Sequence, residues 1–380
     1  MDDPSAALAD AGAEALASVL GPVVVVPGER LPSSDRAVVL HAVATDRAGR
    51  EHRVVLKAPI GSGVSSAREE AALGLVTAIQ VPGVVRLLAT STDPALLVLA
   101  DAGDGPTLAD RLLGEDPLAA ETAILEWAAR LADLQAATGG MQAQFASRMA
   151  ALSPLGAPLV DTSREAAAEA CAALRRDLPR LGVRATAGAL EELLELAVTL
   201  DVTAPGTPGA LVPGDTCPSN AVDSNNGMVL LDFEGAEYRH LAWEAAYLTV
   251  PWPSCSCSWR LPDSLVARAL TRWRQAVAPA FPVVATPSFR DDLLRATLGW
   301  VFISVGWLLA AALDGDPPPS DPSRRHLIPT RRALLQHRLR LAAQQDTALL
   351  PALRELADQT LTATLSEWGT CPLPLARAFR

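Results

Sequence analysis

"GALVPGDTCPSNAVDSNNGMVLLDFEGA", residues 209–236, decides how this chain is read. Two runs, "NAVD" (220–223) and "MVLLDF" (228–233), flank "SNNG", whose asparagines and glycine suit a hairpin turn. Asp215 and Asn220 stand at the entry to the first run and Asp232 near the end of the second. One tight hairpin therefore gathers two carboxylates and an amide into an acidic pocket.

Working outward to the N-terminus, β-branched runs alternate with turn signals up to about residue 105. "VVVV" (23–26), "AVVLHAVAT" (37–45), "HRVVLKA" (52–58), "VVRLLAT" (84–90) and "ALLVLA" (95–100) predict strands, with "TDRAGRE" (45–51) turning the second into the third. "SAREEAALGLVTAIQ" (66–80) predicts one helix, capped by Ser65 or Ser66 with Glu69 or Glu70 in its first turn. Beyond a hinge near "LADAGDGPTL" (99–108), helical periodicity takes over at about 118–138, 163–181, 187–201, 263–280, 289–313, 328–345 and 347–367, and the opening hairpin is the one strand pair expected among them. The class is α+β: a small antiparallel sheet lobe with one helix, then a large, mainly α-helical lobe. The expected divisions are 1–100, 101–313, and 314–380, the last opening on the proline-rich "DGDPPPSDPSRR".

Composition excludes several functions. A net charge of −11 argues against an extended nucleic-acid face, which needs clustered cations to displace counterions from phosphates. Five scattered cysteines are too sparse for a disulfide framework, and the acidic start "MDDPSAALADAG" lacks the basic, apolar plan of a secretory signal, so a cytoplasmic setting is expected. "ATLGWVFISVGWLLAAAL" (296–313) is uncharged and nearly long enough to span a bilayer, but it has no basic flank to orient it and reads as a buried core helix, with no membrane partner. No obligate protein partner is evident.

Lys57 is the only lysine; the other basic residues, 31 of 32, are arginine. It ends "VVLK", sharing one strand face with Val55. A chain that uses arginine for solvation everywhere else has kept one compact ammonium, which suits a crowded anion site better than a forked guanidinium. On the single helix of the small lobe, Glu69 lies on the face of Leu73 and Val76, whereas Glu70 points away. Phosphoryl transfer to a hydroxyl asks for these parts: a cation on nucleotide phosphates, a carboxylate to hold it, metal ligands, and a carboxylate base. Lys57, Glu69, the pair Asn220 and Asp232, and Asp215 match them in that order, at the spacing of the kinase catalytic-loop and metal-binding motifs.

The chain resembles the aminoglycoside phosphotransferase and choline kinase-like family of the protein-kinase-like fold. Its catalytic motif usually reads His-Gly-Asp-x-x-x-x-Asn and its metal motif Asp-Phe-Glu or Asp-Trp-Glu, to which "PGDTCPSN" (213–220) and "DFEGA" (232–236) are similar. "EYRHLAWEAAYL" (237–248) resembles the helix that follows, with an acidic residue near Glu244 under the active site. The resemblance covers about residues 20–310 and implies ATP and Mg2+ as cofactors, with the base edge read by the hinge backbone from Leu99 to Asp101. It implies a small hydroxylated acceptor such as an aminosugar or amino alcohol. A peptide serine or threonine, or a pseudokinase that only binds nucleotide, are the alternatives. Pro213 replaces the motif histidine, and no glycine-rich loop joins the first two strands; Ser33 and Ser34 take its place as phosphate contacts or form a plain turn.

Other features read as structural. Cys255 and Cys257 lack the further ligands of a zinc site and read as buried or loop thiols. His240 reads as a hydrogen-bonded structural histidine, and Trp252, Trp259 and Trp273 either line a pocket or pack the core.

Overall fold

The computed structural model describes residues 4–31, 36–60, 64–152, 162–203, 206–255, 258–318, 328–345 and 348–380. It opens on α1 (Pro4–Leu20), followed by β1 (Val23–Arg30), β2 (Ala37–Asp46), β3 (Glu51–Pro59), α2 (Val64–Ala78), β4 (Leu87–Thr92) and β5 (Ala95–Ala100). The five strands form one antiparallel sheet in the order β1-β2-β3-β5-β4, and Lys57 pairs with Val39 on one side and Leu97 on the other. The turn between β2 and β3 is built by Asp46, whose Oδ1 accepts from the amides of Ala48 and Arg50 at 2.9 and 3.0 Å. Those bonds, led by the one from Arg50, hold its carboxyl down at about 2.

Strand alternation divides the sheet. Val54 and Leu56 are fully buried with Leu8, Leu16, Leu40, Leu96 and Val98, beneath α1. Val55 and Lys57 face the other way, towards α2 and the large lobe. Helix α1 was not expected from the sequence. "PSAALADAGAEALASVL" is so alanine-rich that its apolar periodicity is faint, yet with the sheet beside it Leu8, Ala9, Ala11 and Leu16 suffice to bury one face.

The large lobe begins with α3 (Leu108–Leu113), α4 (Pro117–Thr138), α5 (Gln142–Leu152), α6 (Ser163–Asp177) and α7 (Ala187–Thr199). Helix α4 starts where Asp116 accepts from the amides of Leu118 and Ala119, with proline in the first turn where no N–H is required. Next come β6 (Gly209–Val212), β7 (Ala221–Ser224), β8 (Gly227–Leu230) and β9 (Glu237–His240). The expected hairpin is β7–β8, but β6 pairs with β9 around it, so among the described residues the lobe has two strand pairs rather than one. Strand β8 also stops short of the expected "MVLLDF", because Asp232 turns to φ 59°, outside strand geometry.

Helices α8 (Leu241–Ala245), α9 (Asp263–Val277), α10 (Pro287–Leu313), α11 (Arg331–Ala343) and α12 (Pro351–Trp368) complete the chain. Among the described residues α10 is the one helix long and apolar enough to cross a membrane. It instead packs among α6, α7, α8 and α11, and every residue from Ala296 to Gly306 is buried. A Cβ on Gly306 would lie 2.9 Å from the Cα of Ala170, so glycine there lets α6 and α10 touch backbone to backbone. The C-terminal helices belong to the same packing: α11 lies on α10 and α12 on α7.

Candidate active site

Four segments meet where the sheet faces the large lobe. Lys57 comes from β3 and Glu69 from the first turns of α2; Asp215 lies on the loop after β6, and Asp232 on the turn after β8. Lys57 Nζ lies 2.9 and 2.6 Å from the two Glu69 oxygens and 2.7 Å from Asp232 Oδ1. Burial by itself would discharge this ammonium, but Glu69 and Asp232 outweigh it and hold the Lys57 pKa above its ordinary value. Glu69 is sealed, its side chain 2% exposed, and burial pushes its carboxyl up while Lys57 pulls it back. Its Oε1 also accepts from the Phe233 amide at 3.4 Å, so the same carboxylate touches both the lysine and the backbone just past Asp232. Glu70 points elsewhere and bonds to Thr90, as its place on the helix implies.

The loop carrying Asp215 is shaped by Gly214 at φ 85°, where a Cβ would fall 2.0 Å from the Gly235 carbonyl oxygen. The catalytic-motif loop and the segment after Asp232 are thus in backbone contact. Asn220 Nδ2 donates to the Asp215 carbonyl at 3.1 Å, and its own carbonyl accepts from the Leu231 amide at 2.8 Å. These bonds set Asn220 beside the Asp232 turn. Burial raises the Asp215 carboxyl, with the Asp232 charge adding to the rise and a bond from Ser254 opposing it.

Beneath the loop, Glu244 is fully buried, accepts from Thr216 Oγ1 at 3.3 Å, and lies 3.3 Å from Arg239 Nη1. Burial lifts its carboxyl to about 7. His240 caps α8 by accepting from the Ala242 amide at 3.1 Å, and burial lowers it to about 4, a structural role. Trp252, Trp259 and Trp273 are all buried in the core.

Not every expected site residue joins this cluster. Ser33 and Ser34 lie outside the described residues. The cavity they border in sequence, about 110 Å³, is lined by Arg36, Lys57, Ser65, Ser66, Glu69 and Glu234 among others. Leu99 is buried in the sheet opposite Val55, and the Asp101 carboxylate takes a 2.7 Å bond from Arg53. The amides of Ala100 and Asp101 are engaged by the carbonyls of Arg86 and Arg53. A larger cavity, about 580 Å³, lies behind the hinge between Val76–Arg86, Ala100–Gly105 and the β7–β8 turn, away from Lys57.

Three residues were missed. Arg36 pairs with Glu234 at 2.7 Å across the mouth of the small cavity. Ser254 Oγ donates to Asp215 Oδ1 at 2.8 Å. Cys255, expected as a thiol, is instead bonded to Cys217, whereas Cys257 falls outside the described residues. Its partner lies 38 positions away, a separation at which spacing carries no information, and only the folded loop brings the two sulfurs together.

No protein-family model matches the chain, and no curated protein matches it in sequence. Similar solved structures include a choline/ethanolamine kinase family protein from Mesorhizobium loti, 16% identical with TM-score 0.47, covering 93% of this chain and 99% of that one. Macrolide 2'-phosphotransferase MphH from Brachybacterium faecium is 17% identical with TM-score 0.44, covering 87% and 97%. The amicoumacin kinase hAmiN, solved with AMP-PNP and Ca2+, is 12% identical with TM-score 0.48, covering 87% and 88%. At these identities and TM-scores the likenesses carry no functional argument. Function is therefore argued from the side chains.

Proposed function

We propose that this chain is an ATP- and Mg2+-dependent phosphotransferase that phosphorylates a hydroxyl of a small molecule such as an aminosugar or amino alcohol. The observation that carries it is Lys57 held between Glu69 and Asp232, within one cleft with Asp215. Glu69 fixes the lysine, and Asp232, its side chain 35% exposed, is the partner able to turn towards a metal. One carboxylate and one amide, from Asp232 and Asn220, make an incomplete protein site, which suits Mg2+, an ion that keeps water and substrate phosphates in its shell. When bound, that ion neutralises charge on the transferred phosphoryl group.

Lys57 stays charged and offers its ammonium to phosphate oxygens. Asp215 accepts the proton of the acceptor hydroxyl, and its raised pKa makes it a stronger base than an ordinary aspartate. With the amides of Ala100 and Asp101 engaged, the base edge falls to the Ala102 amide, which has no backbone partner among the described residues. The division at 1–100, 101–313 and 314–380 and the cytoplasmic setting are parts of the same proposal. The Cys217–Cys255 bond bears on the setting, because a reducing compartment opens such bonds.

The test is ADP release with ATP and Mg2+ over a panel of hydroxylated acceptors. Asp215→Ala should lower turnover by about 10²–10⁴-fold, the usual contribution of a positioned base. Turnover that survives the substitution unchanged sinks the mechanism. Nucleotide binding without turnover on any acceptor makes the chain a binding protein instead.

A further inference from the structure

The hydroxyl already resting on Asp215 belongs to the chain itself. Ser254 Oγ donates to Asp215 Oδ1 at 2.8 Å, and Tyr247 Oη lies 2.9 Å from Ser254 Oγ. Since the serine proton points at the carboxylate, the tyrosine supplies the proton of the second bond. Tyr247 is buried, which keeps its phenol protonated and a donor. A serine oxygen has two lone pairs, and this arrangement leaves one of them for an electrophile.

The loop is held from both sides. Trp252 is buried against Trp127, while Cys255 packs against the core beside Cys217, two positions beyond Asp215, whether or not their bond is reduced. Ser254 itself remains exposed. Among the described residues it is the one side-chain hydroxyl bonded to Asp215, at the separation a base requires of the proton it removes. An acceptor hydroxyl would have to take the same place, and proximity of this kind replaces a bimolecular encounter with an intramolecular one.

We infer that Ser254 is a self-phosphorylation site, an inference that rests on the phosphotransferase reading above. Ser254 Oγ attacks the γ-phosphorus of a nucleoside triphosphate and forms the new O–P bond. The bond from that phosphorus to the β,γ-bridging oxygen breaks, and its electron pair leaves with the nucleoside diphosphate. The serine proton passes to the Asp215 carboxylate. Because the acceptor is tethered, the modification runs within one molecule and at a rate independent of protein concentration.

The experiment uses the full chain incubated with ATP and Mg2+ and no added acceptor, followed by intact and peptide mass spectrometry. One added phosphate is expected on the peptide carrying Ser254, absent from both Ser254→Ala and Asp215→Asn, with a half-time unchanged over a tenfold dilution. Nucleotide that binds and is consumed, or passes to an added acceptor, while Ser254 stays unmodified overturns the self-phosphorylation and leaves the kinase reading standing. A chain that binds no nucleotide overturns both. Modification that slows on dilution overturns the intramolecular route.

Discussion

Two buried cations in this molecule each hold two carboxylates, and they differ in what else can reach them. Lys57 sits between Glu69 and Asp232, its own side chain 13% exposed and that of Asp232 35%. Arg239 sits between Glu237 and Glu244, with side chains 5%, 2% and 0% exposed, and its guanidinium lies 5.3 Å over the Trp300 ring. In the sealed cluster every partner is permanent, and the planar, multiply donating guanidinium stacks on an aromatic face as it bonds both acids. In the open cluster one partner faces the cleft and can be exchanged, which a slim ammonium permits. The sole lysine thus stands in the cluster that must change partners, and arginine in the one that must not.

The comparison breaks first at the sealed cluster. Arg239→Ala leaves two buried acids facing each other and should cost about 3–5 kcal/mol of unfolding free energy, read by urea denaturation, as for other broken buried pairs. A loss below 1 kcal/mol would mean the cluster is solvated after all. Next, Glu244 separates the two by pH. Its carboxyl is about 7 folded against 4.5 unfolded, so the native state holds the extra proton in between and this contribution to stability falls as pH rises from 4.5 to 7. Glu244→Gln cannot ionise and should gain on the parent across that window, by up to about 3 kcal/mol at 1.36 kcal/mol per pKa unit.

The open cluster should answer in binding rather than folding. Lys57→Arg should keep the fold while weakening nucleotide affinity by roughly ten- to a hundredfold, the worth of a charge-assisted hydrogen bond misplaced, measured by calorimetry. Wild-type affinity would make the lysine incidental. The smallest effect is on stability: Lys57→Ala should cost about 2 kcal/mol, less than Arg239→Ala, because Asp232 can resolvate and only the sealed Glu69 is left without its partner. A cost matching that of Arg239→Ala would erase the distinction between the two clusters.

Much of the candidate site was legible because its parts are close in sequence or tied to a regular element. Asp215, Asn220 and Asp232 lie on one loop and hairpin, and the choice of Glu69 over Glu70 follows from helix geometry alone. Helix α1 was not legible, because alanine carries little periodic signal until a sheet is there to cover it. The second strand pair was hidden by its separation, since β6 and β9 are short and meet only around the β7–β8 hairpin. Arg239 read as one arginine among many, and its two acids and Trp300 are assembled by packing.

The residue types and spacings of the motifs were determined by the sequence, as was the strand face that Lys57 shares with Val55, because backbone geometry transmits such relations over a few residues. The tertiary structure alone decided that Ser254 rests on Asp215, 39 positions away, and that Lys57 reaches Asp232 across 175. Contacts at that range depend on the whole core closing, and no local propensity encodes them.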